Sequence, residues 1–363
     1  MRLVHVDRQR SWTGQIARVH RIATAMAERG HDVRVVAHPR SALEERCQRD
    51  GVEVLPLPMR GWRAHVSTLP LVRALRKRPA DILHCHGARD HQLAALAARW
   101  AGVPHLIRTK HNHTTLRSGP FSRFLYERCA RVITVSDYAR EQLRRDGVAG
   151  AHVQTVRDAA AVSRFAPRPR DADLARKLGL PEGAPVVGHV SRLSPRKGIE
   201  QILRAARILL DRSPEPSPWF LLLGGDAGRW QPLARQLGIA DRVVWGGFHE
   251  DVPAVLSLID IFVYPSHQEA LGMAVLEAMA MQISVVATDV GGLREAVASD
   301  TGVLVPPGDP SALADAVAGL LRDPERRARL GRAARERVTL HFSDRALVEQ
   351  TLAIYEEVLK GTS

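Results

Sequence analysis

Two carboxylates, Glu269 and Glu277, stand with seven residues between them in the stretch SHQEALGMAVLEAM, Ser266 to Met279. Glu269 follows an apolar run, Ile259 to Pro265, that reads as a buried strand, and Gly272 opens an apolar helix on which Glu277 sits. At about 1.5 Å per helical residue, Glu277 lies roughly 8 Å along from that helix's start. Unpaired backbone N–H groups fall between the two acids. A helix N-terminus attracts anions, and each carboxylate accepts hydrogen bonds from hydroxyls. That chemistry suits a ligand hydroxylated at both ends and phosphorylated in the middle, which is the make-up of a nucleotide sugar. An ordinary surface helix bearing two solvated glutamates has the same spacing, so the spacing alone leaves both readings open.

Cations stand where a phosphate would need them. SRLSPRKG follows a strand ending near Val190 and places Arg192 and Lys197 at its carboxyl end, where open parallel sheets bind ligands. Two such cations hold a diphosphate without a metal, although Arg and Lys beside a helix start are often simply solvated. The loops GGDAG (Gly224 to Gly228) and DVGG (Asp289 to Gly292) also follow strands. Their glycines permit close backbone approach, and either loop also suits a plain turn. For a metal, the run HCH at His84 to His86 sets two imidazoles on one face of a strand, but a third ligand is not evident and no metal is expected. Asp171 and Asp173 in DAD fall at a helix start, where acids cap the helix and favour its dipole.

The elements that must position these residues alternate between strand and helix. RLVHVD is a strand. The loop SWTG and a helix from about Gln15 to Arg29 follow, with Ile16, Val19, Ala23 and Met26 on one face and Gly30 at its end. Further apolar runs (DVRVVAH, GVEVLPL, DILHCH, VPHLIRT, RVITVS) with helical patterns between them imply a parallel sheet covered on both faces. Its carboxyl edge presents Thr13 and Gly14, Gly87 to His91, and Thr109 to His113. A proline- and charge-rich stretch, Arg164 to Pro185, reads as a linker. A second series then runs PVVGHVS, WFLLLGG, RVVWGGF, IDIFVYP, ISVVAT and GVLVP. The fold expected is α/β: two Rossmann-like domains facing each other across a cleft, at 1–165 and 185–345, with a linker at 166–184. Residues 346–363 form an amphipathic C-terminal helix that crosses back to the first domain.

Composition agrees with two soluble globular domains: 363 residues, 45% of them hydrophobic. No apolar run approaches the roughly 20 residues that span a bilayer, and MRLVHV lacks a signal-peptide layout, so the expected location is cytoplasmic. Three scattered cysteines, Cys47, Cys85 and Cys129, fit reduced thiols. Residues 1–170 hold 31 Lys+Arg against 14 Asp+Glu, whereas residues 171–363 hold 21 against 25. Arg outnumbers Lys 47 to 5, so part of this excess fits a coding bias. The remainder points to an acidic partner for the first half, either an anionic membrane leaflet or a phosphorylated acceptor. Nucleic acid is not expected, since nothing resembles a binding module and aromatics are 5% of residues.

Taken together, SRLSPRKG, the acid pair Glu269 and Glu277, EAMA, VVATDVGGLREAV and TGVLVPPGD resemble the family-4 glycosyltransferases. These are retaining, metal-independent enzymes of two Rossmann-like domains, the GT-B fold. In the first half SWTG, RGHDVRVV, GARDHQLAALAA and VITVSDYAREQL are similar to bacterial members that build lipopolysaccharide core or other cell-surface glycans. The resemblance implies that Glu269 holds hydroxyls of the donor sugar and that the amides of Ala270, Leu271 and Gly272 meet sugar and diphosphate. By the same resemblance Glu277 holds the ribose, Arg192 and Lys197 take the diphosphate, Gly14 lets the first loop approach the phosphates, and His111 contacts the donor sugar. Asp90 and His91 are expected on the acceptor side. The implied donor is a UDP-sugar first and a GDP-sugar second, with no metal cofactor. The implied acceptor is a glycan or lipid-linked precursor, met peripherally at the inner face of the cytoplasmic membrane.

Chemistry agrees with these roles. Glycosyl transfer builds negative charge on the departing nucleoside diphosphate, and fixed cations and N–H dipoles there lower the barrier. Glu269 and Glu277 are too far apart for the roughly 5 Å carboxylate pairing of retaining hydrolases. The family is thought to use front-face attack, the leaving phosphate taking the acceptor's proton. Against the family pattern, Ala159 and Ala161 replace a glycine and an acid, Gln282 and Ser284 replace a glycine and a proline, and Thr13 stands where a second glycine is common. Other readings of the same fold are a natural-product glycosyltransferase, a sugar-nucleotide epimerase or a non-catalytic nucleotide-binding protein.

Overall fold

The computed structural model describes residues 1–59, 66–112, 119–148, 150–212 and 217–361. The chain forms two compact units, one of Met1–Asp158 with Asp344–Ser363 and one of Ala159–Ser343.

The first unit runs β1 (Arg2–Asp7), α1 (Gly14–Glu28), β2 (Asp32–Ala37), α2 (Ala42–Arg49), β3 (Glu53–Pro56), α3 (Thr68–Lys77), β4 (Ile82–Cys85), α4 (Ala88–Ala101), β5 (His105–Lys110), α5 (Gly119–Glu127), β6 (Arg131–Thr134), α6 (Asp137–Arg145) and β7 (Val153–Thr155). Its sheet has the order β3-β2-β1-β4-β5-β6-β7, with every pair parallel. Five of the six positions of β1 and all of β4 and β5 are buried, as helices on both faces require. Helix α1 buries the expected face of Ile16, Val19, Ala23 and Met26. It starts at Thr13, whose hydroxyl accepts the Ile16 N–H.

The second unit runs α7 (Ala172–Lys177), β8 (Val186–Val190), α8 (Ile199–Asp211), β9 (Trp219–Leu223), α9 (Gln231–Gln236), β10 (Val243–Gly247), α10 (Val252–Leu256), β11 (Ile261–Tyr264), α11 (Met273–Ala280), β12 (Ser284–Thr288), α12 (Leu293–Ala296), β13 (Gly302–Val305), α13 (Pro310–Arg322) and α14 (Pro324–His341). Its parallel sheet has the order β10-β9-β8-β11-β12-β13. Both sheets therefore have the doubly wound arrangement expected of Rossmann-like domains.

The chain then returns to the first unit as α15 (Asp344–Lys360). Arg21 pairs with Asp344 at 2.6 Å and Arg131 with Glu357, and the Tyr355 hydroxyl lies 2.6 Å from His84 Nδ1 in the interior of the sheet. Residues 166–184, expected as a linker, instead belong to the second unit. Ala175 and Leu180 are buried in its core, and Asp171 caps α7 by accepting the Leu174 N–H at 2.9 Å. The division by structure narrows the charge contrast. The first unit holds 30 Lys+Arg against 18 Asp+Glu, because α15 is acidic and the arginines at 164–170 fall in the second unit. The three cysteines are buried thiols, and no helix among the described residues is long and apolar enough to cross a membrane.

Candidate functional site

In the second unit two of the residues singled out by spacing, Lys197 and Glu269, come together. Lys197 ends a short turn after β8, and Gly198 beside it has φ 72°. A Cβ at Gly198 would lie 2.0 Å from the Pro265 carbonyl, so only glycine lets this turn abut the chain leading to Glu269. The Lys197 ammonium forms an ion pair with Glu269 and donates to the Tyr264 hydroxyl at 2.6 Å. The Tyr264 and Ser266 hydroxyls each lie 3.4 Å from the same Glu269 oxygen. Glu269 is thus held in place by one cation and two hydroxyls, with its side chain only 13% exposed.

The surrounding loops fix this nest. Gly292 N–H donates to the Glu269 carbonyl at 3.2 Å, and a Cβ on Gly292 would fall 1.9 Å from the Ala270 carbonyl, so the second glycine of DVGG packs against the acid's own loop. Gly272, at φ 93°, precedes α11, which carries the half-buried Glu277; burial first, then Glu269 and then Glu277, pushes the Tyr264 hydroxyl well above its usual pKa. Ala270 is half-buried and Leu271 is buried. Arg192 is exposed and joins no ion pair among the described residues. His189, stacked on Tyr264, donates from Nδ1 to the Val263 carbonyl at 2.8 Å and accepts the Ser191 hydroxyl at Nε2, 2.6 Å away. Burial pushes its pKa down to about 4, so it is a neutral spacer behind Tyr264.

In the first unit a second group lies at the carboxyl edge of the sheet. Asp7 ends β1 and accepts the Gln9 N–H at 2.8 Å and the Gln15 amide at 2.5 Å. Asp90, in the first turn of α4, accepts the Gly87 N–H at 2.9 Å and stands 3.5 Å from the Arg8 guanidinium. A Cβ at Gly87 would lie 2.2 Å from that carboxylate. Burial, then the nearby Asp7 charge, pushes Asp90 up to about 7, which makes it a proton-sharing group near neutrality. Gly14 is the first residue of α1. His111 follows β5 and is half-buried, its Nε2 3.2 Å from His86 Nδ1.

Several expectations are corrected here. His91, like Asp90, is buried: its ring lies edge-on to Tyr126 and its Nε2 3.2 Å from Cys129 Sγ, with its pKa pushed down to about 3 by burial. His84 and His86 do acquire a third imidazole, because β1 pairs with β4 in a register that sets His5 opposite His84. Ala159 is not among the left-handed residues, so the loop there needs no glycine. Positive φ falls instead on Gln282, at 67°. His113 lies outside the described residues. The structure also adds Tyr264, His189, Asp7 and His5, which spacing did not single out. Asp7 and Tyr264 each end a strand at the carboxyl edge, a signal that was available; His189 sits inside β8 and carried none.

Two parallel-sheet Rossmann-like units of this order are those of the GT-B fold. The Anabaena HepE structure with UDP-glucose overlays with a TM-score of 0.85 at 21% identity, covering 99% of this chain and 100% of that one. Residues 171–337 match Glycosyl transferases group 1 and residues 12–164 match Glycosyltransferase Family 4. A 2-deoxystreptamine N-acetyl-D-glucosaminyltransferase of Streptomyces fradiae is 33% identical over 86% of this chain and 83% of its own length. A D-inositol 3-phosphate glycosyltransferase of Saccharomonospora viridis is 36% identical over 78% and 72%. The chain belongs to the family-4 glycosyltransferases.

Proposed function

We propose that the protein is a retaining, metal-independent glycosyltransferase that moves a hexosyl group from a nucleotide sugar, a UDP-sugar before a GDP-sugar, to a cell-surface glycan acceptor such as a lipopolysaccharide core. The observation that carries this reading is the nest of Lys197, Glu269 and Tyr264. It keeps a carboxylate ready to accept sugar hydroxyls beside an ammonium suited to an oxyanion. In this reading Glu269 and the amides of Ala270, Leu271 and Gly272 grip the sugar and diphosphate, and Glu277 takes the ribose. Gly14 admits the phosphates and His111 contacts the donor sugar. Lys197 and Arg192 neutralise charge that grows on the leaving diphosphate, the term that dominates such transfers. No protein nucleophile is needed when the leaving phosphate itself accepts the acceptor's proton. The acceptor assignment rests on the loops of the first half and on that unit's excess of basic residues, which also supports peripheral work at the inner face of the cytoplasmic membrane.

A second acceptor class is favoured by the relatives above, which are named for 2-deoxystreptamine and inositol phosphate. A cyclitol or aminocyclitol acceptor leaves the donor chemistry unchanged. Incubating the purified protein with UDP-, GDP- and ADP-sugars, with lipopolysaccharide-core, cyclitol-phosphate and aminocyclitol acceptors, tests both. Anomer-retaining transfer from one donor to a glycan core is the expected result. Transfer to a cyclitol selects the second reading, and the absence of both transfer and donor hydrolysis with every donor refutes the enzymatic one.

A further inference from the structure

The geometry points to His86 and His5 as positioning residues for His111: three imidazoles form one hydrogen-bonded chain that fixes which nitrogen of His111 carries its proton. This rests on the role proposed above for His111, but the chain itself is visible without it. His111 Nε2 lies 3.2 Å from His86 Nδ1, and His86 Nε2 lies 3.2 Å from His5 Nδ1. Each link needs one N–H and one bare nitrogen. All three rings are held neutral: burial disfavours their charged forms, and the guanidiniums of Arg18 and Arg108 lie near His111. In a neutral chain the protons must all point the same way.

The far end selects the direction. His5 is fully buried, and its Nε2 has no hydrogen-bond partner among the described residues. Either direction leaves one N–H without an acceptor among the described residues, at His5 Nε2 or at His111 Nδ1; it costs less on half-buried His111 than on fully buried His5, so His5 keeps its proton on Nδ1 and leaves Nε2 bare. His5 then donates to His86, and His86 donates from Nδ1 to His111 Nε2. The proton of His111 is thereby placed on Nδ1, the nitrogen without a partner among the described residues. His111 therefore presents an N–H donor to a sugar oxygen and is not a general base. The side of the chain is braced by His84, which touches the Tyr355 hydroxyl at 2.6 Å and the Thr109 hydroxyl at 2.7 Å. Nitrogens of His5, His84 and His86 lie within 4.8 Å of one another, a spread that also suits a metal ion. Both nitrogens of His84 are already engaged by hydroxyls, which favours the hydrogen-bonded arrangement.

The test is the tautomer of His111 in the full chain, read from imidazole nitrogen–proton correlations on ¹⁵N-labelled protein without donor. Expected are a single Nδ1–H tautomer in the wild type and a mixture in His86→Leu. His86→Asn, whose amide can still donate to His111 Nε2, returns the single form. His5→Leu, which removes only the far ring, should also give the mixture and serves if His86→Leu does not fold. With a donor that the wild type turns over, His86→Leu should lower kcat roughly ten- to a hundredfold while the donor KM changes little, as for a misplaced contact group. An Nε2–H tautomer in the wild type, a tautomer unmoved by both leucine variants, or one equivalent of zinc that His86→Leu loses would overturn the proposal. Because the tautomer is read without substrate, it decides the chain even if no nucleotide sugar proves to be a donor.

Discussion

Lys197→Ala is the sharpest perturbation of the donor nest. The ammonium and the Glu269 carboxylate are 15% and 13% exposed, so the pair is largely withdrawn from water. Removing one partner of a buried pair costs about 3–5 kcal/mol. The Tyr264 and Ser266 hydroxyls still approach Glu269 at 3.4 Å, which places this loss at the lower end, about 3 kcal/mol. For a unit of this size that lowers Tm by roughly 6–12 °C. The effect on turnover is separate. A fixed donor to the leaving group contributes about 3–4 kcal/mol to the transition state, so kcat should fall roughly a hundred- to a thousandfold. The assay is release of nucleoside diphosphate at saturating donor, alongside thermal unfolding. Lys197→Ala with Glu269→Gln separates the two effects: the stranded charge is gone, so stability should largely return, while turnover should not. A Lys197→Ala enzyme that turns over close to the wild-type rate refutes the catalytic role. Recovery of turnover together with stability in the double variant shows that neither the Lys197 charge nor the Glu269 carboxylate acts on the donor.

Other outcomes follow from the same geometry. Glu277→Ala should weaken nucleotide-sugar binding roughly ten- to a hundredfold by calorimetry, the loss of a charged hydrogen-bond acceptor for ribose; unchanged affinity removes that role. His5, His91 and His189 are pushed down to about 4, 3 and 4 by burial, so below their ordinary value the unfolded chain takes up protons that the folded one refuses. Their stabilising contribution is complete above about pH 6.5 and is lost as pH falls toward 4. Asp90, raised to about 7, and Asp7, also raised by burial, act in the opposite sense across that window, and the histidines outnumber them. Thermal melts between about pH 7.5 and 5 should therefore show a falling Tm, with a shallower fall in His91→Gln; equal slopes in the two proteins contradict the burial argument. The basic first unit should sediment with anionic vesicles at low salt and be released as salt screens the attraction, and failure to sediment at low salt removes the membrane proposal.

Much of the fold was legible because parallel strands buried on both faces leave apolar runs that cannot be mistaken for surface, as DILHCH and IDIFVYP show. The return of the C-terminal helix was legible from its apolar stripe. The stretch at 166–184 was misread because proline and charge look the same in a tether and in a segment lying over a core; only the burial of Ala175 and Leu180 separates them. Lys197 and Glu269, both singled out by spacing along the chain, pair in the structure. Tyr264 and His189 meet them across strands, and His5 meets His84 through a register that no local pattern records. The substitutions at Ala159 and Gln282 have unequal consequences, since the first needs no unusual backbone and the second takes up a left-handed one.

The central claim is that protein groups alone neutralise the diphosphate of the donor. It is tested most directly by measuring transfer from the preferred nucleotide sugar before and after exhaustive treatment with EDTA, and again after adding manganese. The account predicts one rate throughout. Loss of transfer on chelation and its return with manganese would contradict it.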